Sequence, residues 1–141
     1  MSIRFVLLPL FVEVTLTFVL LFWMGQLNIS AVRRGKTRWQ DIALREPGWP
    51  TRNQQVRNAY LNQLELPILF YVLTILALMT RHADLLFVLL AWVFVVMRVL
   101  QAYVHVSDND VPRRGSFFIA GALVLAIMWA IFMVRILLGL P

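Results

Sequence analysis

The chain has 141 residues, 61% of them hydrophobic and only 14% charged, against nearly half and a quarter in an ordinary soluble domain. Four long apolar blocks exclude a soluble fold and leave no length for a second folded domain. With no cysteine, disulfides, thiolate metal ligands and a cysteine nucleophile are excluded as well, and the net charge of +6 takes its meaning from where the cations sit.

The first apolar block, about residues 5–27, is too long for a signal-peptide core and is followed by no small-residue cleavage pattern, so it is expected to remain as a span. A polar basic segment follows at 28–57, in which Pro47, Gly48, Trp49 and Pro50 predict a turn and Trp39 and Trp49 suit a stretch lying on the membrane interface. The second, third and fourth spans are expected at about 59–79, 85–106 and 117–140. Each is near the ~20 residues that cross a bilayer core. The blocks are continuously apolar, without the alternation of a transmembrane barrel. The predicted fold is an all-α integral membrane protein, a single four-transmembrane-helix bundle over 1–141.

Arg33, Arg34, Lys36, Arg38, Arg45, Arg52 and Arg57 lie in the 28–57 segment, and Arg113 and Arg114 lie before the last span. The opposite side carries only Arg4, Arg81 and Arg135, and Arg98 falls within a span. The positive-inside rule therefore puts both termini outside and both long connections in the cytoplasm. The basic segment reads as topogenic and attracted to lipid headgroups, with no case for nucleic acid.

Polar residues inside apolar spans cost several kcal/mol unless paired, which makes them the place to look for chemistry. Asn58, Asn62 and Glu65 are spaced i, i+4, i+7, and Arg98, Gln101 and His105 are spaced i, i+3, i+7, so each set shares one helix face. Counted from the basic end, Glu65 and Arg98 lie at matched depth, which predicts a structural Glu65–Arg98 ion pair with Asn62 facing Gln101 and Asn58 facing His105. The result is a polar cleft whose mouth Arg33, Arg34, Arg113 and Arg114 can ring. Pro67 frees the carbonyl of Gln63 and predicts a kink or a tolerated proline. Glu13 is deeper, with Tyr71 and Trp129 at similar depth. His82 and His105 stand apart, so no metal site is expected.

The blocks Ile29-Ser30-Ala31-Val32-Arg33-Arg34 and Arg57-Asn58-Ala59-Tyr60-Leu61-Asn62-Gln63-Leu64-Glu65-Leu66-Pro67, with Arg98 in the third span, resemble the MAPEG family, membrane-associated proteins of eicosanoid and glutathione metabolism. The resemblance implies a homotrimer that holds glutathione between subunits and acts on a lipophilic small molecule arriving from the membrane lipid. Asn62 and Glu65 would then hold the glutathione backbone and amino group. Arg33 or Arg34 of a neighbouring subunit would meet a carboxylate, with Arg57, Asn58, Gln101, His105 and Arg113 as further cofactor-binding candidates. Arg114 matches the arginine that activates the thiol, giving a glutathione-dependent transferase or peroxidase. His105 stands where relatives have a tyrosine. The alternatives are a noncatalytic trimer binding lipid or a partner membrane protein, and a small proton-coupled drug transporter using Glu13.

Overall fold

The computed structural model describes residues 2–43 and 48–141, and within them the chain is all-helical. Five α-helices follow one another: α1 (Ile3–Arg33), α2 (Thr51–Asn62), α3 (Leu66–Met79), α4 (Leu85–Val106) and α5 (Val111–Leu137), with a short 3-10 turn at Trp39–Ile42. Four helical units are long and apolar enough to cross a membrane: α1, α2 with α3 (Thr51–Met79), α4 and α5. Of the expected turn at 47–50, Pro47 lies outside the described residues, as does Arg45 of the basic segment.

The first helix runs six residues past its expected end because nothing in Asn28–Arg33 breaks it. It stops at Gly35, whose φ of +71° is open to glycine without a Cβ penalty. There the Gly35 N–H reaches Val32 O at 3.1 Å and the Lys36 N–H reaches Ala31 O at 3.0 Å, the two bonds of a Schellman cap. The last helix begins six residues before its expected start, since Pro112 sits in its first turn, where no amide donor is required.

The larger correction falls in the second span, which is two helices rather than one. After Asn62 the chain tightens, with Gln63 N–H to Tyr60 O at 2.9 Å and Leu64 N–H to Leu61 O at 3.0 Å, bonds of 3-10 type. It restarts at Leu66 with Pro67 in the first turn of α3. Proline cannot donate to the carbonyl four residues back, but at a helix start it has no need to. The break at 63–65 leaves main-chain carbonyls in a region where each needs a partner.

The bundle is centred on α4, which packs against α1, α2 and α5. The main core joins Val6, Phe70, Leu73, Ala91, Phe94, Val95, Leu125 and Met128, with the Phe70 and Phe94 rings 5.0 Å apart. A smaller core, Leu20, Val56, Ala59 and Ala102, joins α1, α2 and α4 nearer the basic segment. Gly121 lets α5 approach α4 closely: a Cβ there would lie 3.6 Å from Met97 Cβ and 3.9 Å from Arg98 Cδ. Large apolar residues such as Phe11, Phe22, Ile75, Leu89 and Leu123 face outward, as a bundle immersed in hydrocarbon requires.

At the end of the bundle carrying the termini, Asp84 caps α4 by accepting from Phe87 N–H at 3.0 Å and pairs with Arg135 at 2.8 Å. Burial alone would raise the Asp84 carboxyl, but the Arg135 hydrogen bond and the Phe87 amide outweigh it and hold it below its ordinary value. His82 ties down the tail through Nε2, which donates to Leu140 O at 2.9 Å.

Candidate functional site

A cleft of about 830 Å³ opens between α2, α4 and α5, lined by Asn58, Leu61, Asn62, Glu65, Gln101, His105, Arg114, Gly115 and Phe118. Five of the six residues singled out for their positions on two helix faces therefore meet in one cavity. Helix spacing places Asn58 and Asn62 on one side and Gln101 and His105 on the other, and the break after α2 brings Glu65 beside the first pair. Arg114 enters from the first turn of α5.

The facing register is one turn from the expected one. Asn62 lies against His105, with Asn62 Nδ2 and His105 Nδ1 3.3 Å apart, and not against Gln101. The other ring nitrogen, Nε2, is 3.3 Å from Arg114 Nη1. A guanidinium can only donate, so Nε2 accepts and the imidazole carries its proton on Nδ1. The Asn62 amide must then present its oxygen to that proton, which is the assignment the network dictates for an amide whose two ends are otherwise alike. His105 is 4% exposed and bridges α2 to α5 through this pair of contacts.

Arg114 is held from a second direction by Asn109, whose Oδ1 accepts from Nη1 at 2.6 Å. Asn109 sits in the α4–α5 turn at φ +53°, a left-handed conformation that asparagine tolerates better than most residues. Its N–H returns to Val104 O at 2.8 Å. The turn thus aims an amide oxygen at Arg114, a role that spacing on helix faces could not show. The local signal was an asparagine in a turn five residues before an arginine.

Beneath the cleft lies Arg98, fully buried. The expected Glu65–Arg98 ion pair does not form: among the described residues no ion pair joins them, and Arg98 Nη2 instead donates to Asn62 O at 2.7 Å. The helix break supplies a carbonyl with no partner in α3, and the guanidinium takes it. Glu65 stays exposed in the cleft. Glu13 of α1 and Glu65 are the two carboxylates whose charges act on Arg98. Glu13 is itself fully buried, and among the described residues neither of its oxygens has a hydrogen-bond partner; Arg98 Nε and Nη1 and Trp129 Nε1 likewise have none.

The remaining candidates lie elsewhere. Arg33 and Arg34 line a separate hollow on the outer face of α1 with Gln26, Ile29 and Ser30. Arg113 pairs with Asp108 at 2.6 Å on the surface, and Arg57 does not line the cleft. Among the described residues no three His, Cys, Asp or Glu side chains gather where they could hold a metal ion.

The cleft thus offers a carboxylate for an ammonium group, three amide side chains for peptide groups and one oriented guanidinium for an anion. A family model, the MAPEG family, matches residues 6–134, nearly the whole chain. No curated protein and no solved structure matches.

Proposed function

Because the chain belongs to the MAPEG family and is a multi-pass membrane protein by its four apolar spans, we propose that it binds glutathione in the α2–α4–α5 cleft. There it promotes attack of the thiol on a lipophilic electrophile or lipid hydroperoxide. The observation that carries this reading is the fixed Arg114 in a cavity otherwise lined by amides and one carboxylate. Glu65 suits the amino group, and Asn58, Asn62 and Gln101 suit the peptide and carboxyl groups.

Glutathione supplies the one thing this chain lacks, a thiol. Arg114 favours its ionised form, because a neighbouring cation lowers the cost of the thiolate. Since Asn109 and His105 already hold the guanidinium, little reorganisation is needed when negative charge arrives. In conjugation the sulfur forms a bond to the electrophilic carbon while the leaving group departs with its electron pair.

Glutathione carries two carboxylates and the cleft holds one cation. In the homotrimer we propose, Arg33 or Arg34 of a neighbouring protomer supplies the second. The proposed setting is a bacterial inner membrane with both termini outside and the cleft opening to the cytoplasm, where the basic residues concentrate.

The test is glutathione binding to the protein in detergent by calorimetry, with thiolate absorbance followed across pH. Binding with a thiol acidified relative to free glutathione, and loss of that acidification in Arg114→Ala, is the expected result. No binding at millimolar glutathione would overturn the reading.

A further inference from the structure

At the basic end of the bundle the last turn of α1 and the first turn of α2 converge on a second cavity, of about 450 Å³, that shares no residue with the cleft. Its polar lining is Ser30, Arg34, Lys36, Arg52 and Asn53. Three cations surround one hollow, and among the described lining residues there is no carboxylate. None of the three has a carboxylate partner among the described residues either. All three side chains are exposed, so water and salt screen their mutual repulsion, and their combined field draws an anion toward the hollow.

The walls of the cavity are tied together by specific contacts. Asn53 Nδ2 donates to Asn28 Oδ1 at 3.1 Å, joining α2 to α1, and Thr37 Oγ1 donates to Gly48 O at 2.9 Å, folding the connecting segment back on itself. Arg52 is oriented by the Trp23 ring, its guanidinium carbon 4.9 Å from the ring centroid, a cation–π contact. Trp23, half-buried beneath Arg52, gives the depth of the cavity. Tryptophan collects at headgroup level, which is also where the apolar stretch of α1 ends.

We propose that this hollow is a phosphate site whose natural occupant is the headgroup of an anionic phospholipid. Arginine's planar donor fork matches phosphate oxygens two at a time, and lysine adds a mobile point charge. Basic pockets between membrane helices recognise lipid headgroups in this way. The acyl chains would lie along the outward apolar flank of α1, where Ile29 and Phe22 are exposed. No residue lining the cleft takes part, and Lys36 and Arg52, on which the test rests, have no role in the thiol reading.

The experiment is native mass spectrometry of the full chain in detergent titrated with phosphatidylglycerol, phosphatidylcholine or inorganic phosphate. Wild type is compared with Lys36→Gln, Lys36→Gln/Arg52→Gln and, as a control for charge alone, Arg4→Gln at the opposite end. Saturable retention of phosphatidylglycerol is expected. It should weaken about fivefold for Lys36→Gln and roughly twentyfold for the double variant, as one cation near a headgroup contributes ~1 kcal/mol, and Arg4→Gln should leave it unchanged. Competition by inorganic phosphate with the same variant dependence would support the phosphate site and identify the soluble anion as an alternative source. Retention that ignores Lys36→Gln and the double variant, or that falls equally with Arg4→Gln, would overturn the proposal.

Discussion

Arg98 and Asn62 meet through a 2.7 Å hydrogen bond from the guanidinium Nη2 to the main-chain carbonyl of Asn62, so a side chain of α4 completes the hydrogen bonding of a break in the neighbouring span. Removing that side chain leaves the carbonyl with only the long 3.5 Å contact from the Glu65 N–H and leaves Glu13, fully buried, without its neighbouring cation. Arg98→Met should cost about 3–5 kcal/mol, the usual loss when one partner of a buried charged set is deleted. Adding Glu13→Gln should restore part of the loss. Unfolding in detergent measures both, and an Arg98→Met variant as stable as wild type would show that the break does not depend on this contact.

His105 is expected to act through Arg114. Replacing it with phenylalanine removes the Nε2 acceptor 3.3 Å from the guanidinium, and a hydrogen bond to a charged group is worth about 1.5–3 kcal/mol. On the proposed reading the glutathione-dependent kcat of His105→Phe falls roughly tenfold or more while the trimer stays assembled. His105→Gln keeps an acceptor and should retain more of the rate. Equal kcat values for wild type and His105→Phe would remove His105 from the mechanism.

The Asp84–Arg135 pair gives a pH signature at the other end of the bundle. The folded carboxyl lies below its ordinary value of 3.8, so the pair contributes stability at pH values above that figure and loses it as pH falls through the lower, folded value. With the Asp84 side chain 47% exposed, solvent screening limits the contribution to no more than about 1 kcal/mol. Asp84→Asn keeps an oxygen to cap α4, and its deficit should be present at neutral pH and vanish in strong acid. A deficit that persists unchanged in acid would assign it to the cap.

Gly121 gives a graded packing test. An added methyl would meet Met97 Cβ at 3.6 Å, which is ordinary contact, so Gly121→Ala should be tolerated and should gain from helix propensity, for which alanine exceeds glycine by ~1 kcal/mol. Gly121→Leu would drive into Arg98 and Phe94 and should destabilise by about 1–3 kcal/mol. Thermal unfolding of the two variants should therefore move in opposite directions, and a stable Gly121→Leu would show that α4 and α5 are less closely packed.

The four spans were readable because each is a long apolar block, and the cleft was readable because its residues repeat at helix spacing on two spans. The register was not. Counting depth from Arg57 assumes one unbroken helix, whereas the helix starts at Thr51 and is interrupted after Asn62. Pro67 announced a disturbance, but Asn62-Gln63-Leu64-Glu65 is compatible with a continuing helix, so the position of the break was hidden. The partner of Arg98 is a main-chain carbonyl, and every residue has one, which is why matching side chains by charge pointed to Glu65. Asn109 escaped notice because its contribution depends on a left-handed backbone conformation in a turn.

The interruption at 63–65 also changes how the second span behaves mechanically. α2 packs against α1 and α4 in the smaller core, whereas α3 packs against α1 and α5 and, through Phe70, against α4 in the main core, so the two halves are anchored in different cores and meet at a joint pinned by Arg98. The Leu64 and Glu65 amides are held only by three-residue turns, the second of them 3.5 Å long. Those amides should exchange with solvent deuterium well before amides deep in α3 such as that of Leu73. A ligand that grips the Asn62 side chain also steadies the residue whose carbonyl receives the pin, so occupancy of the cleft should register as slower exchange at the joint.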